Sequence, residues 1–157
     1  MKTMNDSIKF EISIPTDVDG FVLMQCEYCG DYFKCKPSDV KDDEVLFIHC
    51  PSCGLVSEDY LTDDIRELAM TMAENYASEY LNNELKKLER RFSSNKFFKI
   101  KVENKSKPKY ESPIYSSIDA LEEKSFVCCE RSAKIKSILK MSACYCPFCG
   151  GITFEDE

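Results

Sequence analysis

Two cysteine pairs, each with two residues between its members, constrain this chain more than any other feature. They are Cys26-Glu27-Tyr28-Cys29-Gly30 and Cys50-Pro51-Ser52-Cys53-Gly54, and twenty residues separate them. Two thiolates at this spacing can reach one metal ion from a tight turn. The glycine after the second cysteine admits backbone conformations that other residues resist. Two such turns facing each other complete a tetrahedral four-cysteine site, and their separation lies in the usual range for one. Ten cysteines in 157 residues are more than a reduced compartment retains without a use. The chain opens on Met1-Lys2-Thr3-Met4-Asn5-Asp6 and then an alternating Ile8–Ile14 run, not the basic-then-apolar pattern of an export signal. Metal ligation is therefore expected ahead of disulfide pairing.

At Cys50-Pro51-Ser52-Cys53-Gly54 the sequence resembles the zinc-ribbon group, whose second knuckle reads C-P-x-C-G. The likeness covers residues 21–56. It implies a structural zinc ion held by Cys26, Cys29, Cys50 and Cys53. A second C-P-x-C-G knuckle follows at Cys146-Pro147-Phe148-Cys149-Gly150. Its upstream partner is the adjacent pair Cys128-Cys129 rather than a C-x-x-C, with sixteen residues between Cys129 and Cys146. A second zinc on Cys128, Cys129, Cys146 and Cys149 is expected. The alternatives are an incomplete site or the recruitment of Cys144. Cys35 stands outside both patterns as a core or surface thiol. His49, the one histidine, adjoins Cys50 and is expected to be structural rather than a ligand.

Strand-like runs deliver the chain to its knuckles. Phe21–Met24 precedes Cys26, Val45–Ile48 precedes Cys50, and Ser125–Val127 precedes Cys128, with Ala133–Leu139 continuing that hairpin. Between them lies a stretch, residues 60–92, free of proline and glycine. Thr62 can cap a helix here, and Asp63 and Asp64 place negative charge in its first turn. Ile65, Leu68, Met72, Tyr76 and Tyr80 recur at helical steps, and Leu81, Leu85, Leu88 and Phe92 continue on a neighbouring stripe. A 30-residue helix would be about 45 Å long, more than one small ribbon covers, so the stripe needs other parts of the chain or a second copy. Phe97–Val102 has strand character, Asn104–Lys109 reads as a loop, and a short helix is expected around Ser117–Glu123. The expected fold is α+β: two small zinc-ribbon β-hairpin modules flanking a long central helix and a short basic β-segment. The corresponding domains are 1–60, 61–95, 96–124 and 125–157.

Charge divides the chain unevenly. Residues 1–85 hold 6 Lys/Arg against 18 Asp/Glu, whereas residues 86–109 hold 10 against 2. Lys86, Lys87, Arg90, Arg91, Lys99, Lys101, Lys105 and Lys107 thus form a candidate phosphate-binding segment, with Phe92, Phe97 and Phe98 among them for base stacking. A protein partner or homodimer through the helix, residues 62–92, is the competing expectation. A four-cysteine site is closed and a poor Lewis acid, and no Walker loop or G-x-S-x-G motif is present. An iron rubredoxin would fit the knuckles but leave the long helix and the second cysteine set unexplained. We therefore expect a non-enzymatic, cytoplasmic protein with two zinc ions and no membrane segment.

Overall fold

The computed structural model describes residues 9–92, 106–114, 118 and 120–154. In chain order the elements are β1 (Val22–Gln25), β2 (Tyr32–Cys35), α1 (Pro37–Val40), α2 (Asp63–Phe92), β3 (Leu121–Phe126), β4 (Arg131–Lys136), α3 (Ser137–Lys140), β5 (Cys144–Tyr145) and β6 (Ile152–Thr153). This is an α+β protein with one long helix between two β-rich segments. The chain divides into two compact units, Ser13–Asp63 with Ile114–Glu157, and Met1–Ile12 with Asp64–Pro113.

The first unit is built on two antiparallel hairpins, β1–β2 and β3–β4, each turning through cysteines. Their inner strands also pair with each other, Lys34 opposite Lys134 and Cys35 opposite Ala133, giving one four-stranded sheet of order β1-β2-β4-β3. The order is palindromic, and each inner strand runs into a four-residue helix, α1 or α3. Alternation explains β3 and β4. Lys124 and Phe126 are buried while Glu123 and Ser125 are exposed, and Ala133 and Ile135 are buried between half-buried neighbours. One core serves both hairpins: Met24, Phe33, Ile48 and Tyr60 from the first half meet Phe126, Ala133, Ile135 and Phe148 from the second. The Phe33 and Tyr60 rings meet edge-to-face at 5.4 Å, and those of Phe126 and Phe148 at 6.4 Å.

The register places two lysines face to face, an arrangement that destabilises a sheet unless something intervenes. Asp17 does so, its Oδ2 lying 3.2 Å from Lys34 Nζ and 2.9 Å from Lys134 Nζ. Lys134 also reaches Asp19, and its ammonium lies 4.9 Å from the centre of the Phe21 ring.

Helix α2 begins directly after Thr62, and its first residue is tied to β1. Asp63 N–H donates to Gln25 Oε1 at 3.1 Å, and Gln25 Nε2 donates to Asp63 Oδ2 at 3.3 Å. Only Ile65 of the helix is buried. Within the second unit, Asn75 binds the chain at Lys109 from both sides: its Nδ2 donates to Lys109 O at 2.9 Å and its Oδ1 accepts from Lys109 N–H at 2.7 Å. Lys109 pairs with Glu74, and Phe10 meets Tyr76 edge-to-face.

Four sequence expectations need correction. The segment around Ser117–Glu123 is not a helix where described, since strand β3 starts at Leu121. Val45–Ile48 forms no strand, and the Ile48 carbonyl accepts from the Tyr60 hydroxyl at 2.6 Å instead of from a ladder partner. The alternating run Ile8–Ile14, strand-like by its pattern, likewise forms no strand over its described residues 9–14. Helix α3 takes over from β4 at Ser137, so the hairpin ends before Leu139. The expected strand Phe97–Val102 lies outside the described residues.

Candidate metal centres

Two four-cysteine groups converge, Cys26 with Cys29, Cys50 and Cys53, and Cys128 with Cys129, Cys146 and Cys149. Within each group all four Sγ atoms lie within 4.8 Å of one another. In the first group Cys26 and Cys53 Sγ are 3.7 Å apart, and Cys29 and Cys50 Sγ 3.5 Å. In the second, Cys146 and Cys129 are 3.9 Å apart, and Cys149 and Cys128 3.6 Å. A tetrahedron with metal–sulfur bonds of about 2.3 Å has edges of about 3.8 Å. Disulfide sulfurs would be about 2.05 Å apart. The spacing suits four thiolates on one ion, and the two groups suit two ions.

The backbone explains how each turn presents its sulfurs. At three knuckles the glycine N–H donates to the carbonyl of the first cysteine: Gly30 to Cys26 at 2.9 Å, Gly54 to Cys50 at 2.8 Å, and Gly150 to Cys146 at 2.9 Å. These glycines take φ of 73°, 73° and 71°, the left-handed region that favours residues without a Cβ. The fourth turn is tighter. Cys129 N–H donates to Phe126 O at 3.1 Å, and Glu130 stands at φ 52° where Gly30 stands in the first hairpin. The tighter turn accounts for adjacent cysteines doing the work of a C-x-x-C pair. Cys129 faces Cys146 as Cys29 faces Cys50, and Cys128 faces Cys149 as Cys26 faces Cys53.

Burial is the largest influence on these thiols and works against ionisation. It pushes Cys50 and Cys146 well up, and Cys129 up to about 11. At Cys26 burial is outweighed by the N–H groups of Cys29 and Tyr28, and at Cys149 by the N–H of Gly151 and the neighbouring thiols, so both are lowered. Four thiolates packed this closely need a cation among them, which is the electrostatic case for a metal.

Neither remaining cysteine joins a cluster. Cys35 is a fully buried core thiol, pushed up by burial, and Cys144 is buried with its Sγ 3.3 Å from Thr153 Oγ1. His49 is outside both ligand sets. Its position shows something the sequence reading missed. His49 N–H donates to Pro147 O at 2.8 Å, and Tyr145 N–H donates to Pro51 O at 3.0 Å. The residue before each C-P-x-C-G knuckle thus binds the proline carbonyl of the other. The available signal was a ring-bearing residue immediately ahead of both motifs.

Of the basic segment, Lys86, Lys87, Arg90 and Arg91 are exposed on the last two turns of α2 and Lys107 is exposed beyond it. Lys87 pairs with Glu84 at 2.6 Å. Lys99, Lys101 and Lys105 lie outside the described residues. No helix among the described residues is long and apolar enough to cross a membrane. No protein-family model, curated protein or solved structure matches the chain.

Proposed function

We propose that this chain is a zinc protein whose two four-cysteine sites are structural, and whose role is binding rather than catalysis. The closed four-sulfur geometry carries the reading. Four thiolates occupy every position of a tetrahedral ion, leaving none for a substrate or an activated water. Thiolate donors in a tetrahedral set suit zinc among the common ions, and the Cys-x-x-Cys…Cys-Pro-x-Cys-Gly pattern agrees with the ribbon resemblance.

Nucleic acid is the partner this reading favours, contacted through the basic segment 86–109. Support comes from the concentration of cations there in an otherwise acidic chain, four of them exposed at the end of α2. Gel shifts on single- and double-stranded nucleic acid at low salt provide the test, with affinity falling by about 0.7–0.9 log units per log unit of salt for each phosphate neutralised. Changing Lys99, Lys101, Lys105 and Lys107 together to glutamine should abolish the shift and leave the melting curve in place. No binding at low salt would remove the nucleic-acid reading. A second reading, a protein partner on α2, draws on the exposed Met70, Leu81 and Leu88 along that helix. It predicts binding that is insensitive to salt.

A further inference from the structure

We propose that His49 and Tyr145 are positioning residues that fasten each C-P-x-C-G knuckle to the other, so that the two metal sites assemble cooperatively and loading one raises the affinity of the other. This rests on the zinc reading above and adds the linkage between the sites.

The contact is reciprocal at every level. His49 precedes Cys50 and hands its N–H to the carbonyl of Pro147, between the ligands Cys146 and Cys149. Tyr145 precedes Cys146 and hands its N–H to the carbonyl of Pro51, between the ligands Cys50 and Cys53. The side chains cross in the same way. A Cβ on Gly150 would lie 2.7 Å from His49 Cδ2 and Nε2, and one on Gly54 would lie 2.8 Å from Tyr145 Cδ1 and Cε1. Each ring therefore lies against the glycine that closes the other site's turn, at a distance only glycine permits. His49 Nδ1 is buried and has no hydrogen-bond partner among the described residues, so packing against the opposite knuckle locates this ring.

Metal binding and folding are one process in small four-cysteine modules, because the unmetallated ligands do not hold their turn. Ordering Cys50–Gly54 around an ion fixes Pro51 O as an acceptor and Gly54 as a seat for Tyr145. Both then hold the chain at Tyr145, one residue from ligand Cys146. Ordering Cys146–Gly150 does the same for His49, one residue from ligand Cys50. The second ion meets a turn whose conformational entropy has already been removed, which is positive coupling, and by linkage it is mutual. Pairing of β2 with β4 joins the other two knuckles' hairpins and acts in the same direction.

The test is native mass spectrometry of metal-free reduced protein titrated with zinc, read where one zinc is bound per chain on average. For independent sites at least half of the chains then carry a single ion, whatever the two affinities. Between sites of equal intrinsic affinity, a tenfold coupling, within the usual range, lowers that share to about a quarter. A share below half, which independent sites cannot give, is the expected result, and a share of half or more that the variant below leaves unchanged overturns the proposal. The double variant His49→Ala/Tyr145→Ala, with all ligands intact, should still take two ions but raise the one-ion share, since it removes the two rings while the backbone hydrogen bonds and the β2–β4 pairing remain. An unchanged share in that variant would overturn the assignment to these two residues. Saturation at fewer than two zinc ions in the unaltered protein is a different result, and it refutes the zinc reading itself.

Discussion

Replacing Asp17 with asparagine removes a carboxylate that lies between Lys34 and Lys134 in the centre of the four-stranded sheet. Both ammonium groups are within 3.2 Å of Asp17 Oδ2, and the side chains of Lys34, Asp17 and Lys134 retain only 4 %, 12 % and 12 % of their exposure. Breaking a fully buried ion pair costs about 3–5 kcal/mol. Residual solvent at Asp17 and Lys134, and the contact of Lys134 with Asp19, reduce this to about 2–3 kcal/mol. Burial raises the Asp17 carboxyl, but hydrogen bonds from Lys134, the Phe21 N–H and Lys34 outweigh it and hold the group far below the usual carboxylate range. A depressed folded pKa contributes stability that is complete above the unfolded value of about 3.9 and is lost as pH falls towards the folded one. The difference between wild type and Asp17→Asn should therefore be constant from pH 6 to 8, where the thiolates also keep their metal. Denaturant unfolding at fixed free zinc measures it. Changing Lys134→Gln in the Asp17→Asn background should recover part of the loss, since it removes the like charge facing Lys34. A loss under 0.5 kcal/mol, or a loss that varies across pH 6–8, would refute this electrostatic reasoning.

Cys26→Ser or Cys53→Ser should unfold the first unit and release metal, because a structural site contributes its binding energy to folding, on the order of 10 kcal/mol in small zinc peptides. Circular dichroism and thermal melting check this, and a normal melt in either variant would contradict a structural role. Gly30 and Gly150 share a left-handed φ, yet a Cβ at Gly30 meets nothing within 4 Å while one at Gly150 meets the His49 ring. Gly30→Ala should cost only the left-handed strain of about 1–2 kcal/mol. Gly150→Ala should cost a further 1–3 kcal/mol or so of overpacking, and equal melting shifts would contradict the close approach.

The local chemistry of this protein was legible in its sequence to the extent that chemistry is local. Cysteine spacing, the glycine after each knuckle and the uninterrupted helix at residues 60–92 all act over a few residues, and the corresponding turns and α2 are where they were expected. What the spacing could not contain is which strands pair across a hundred residues. Lys34 and Lys134 opposite each other reads as a violation of sheet chemistry until Asp17, from a third segment, is placed between them. Val45–Ile48 has the composition of a strand, but the Tyr60 hydroxyl takes the Ile48 carbonyl and the Pro147 carbonyl takes the His49 N–H, so tertiary partners displace the ladder. Residues Leu121–Phe126 look polar enough for a surface helix turn. Burial of Lys124 against the carbonyl of Phe154 reveals the period-two pattern only once the fold is known. The adjacent cysteines at 128–129 depart from the ribbon motif for a backbone reason, a hairpin turn two residues shorter than the one at Cys26–Cys29.

The metal content of the purified protein, counted by native mass spectrometry under reducing conditions, bears most directly on the two-site reading. Two zinc ions per chain are predicted, held by Cys26, Cys29, Cys50 and Cys53 and by Cys128, Cys129, Cys146 and Cys149. The mass should revert to that of the fully reduced chain once the protein is acid-denatured. One ion or none per chain, or a denatured mass lower by two hydrogens for each cysteine pair, would contradict it.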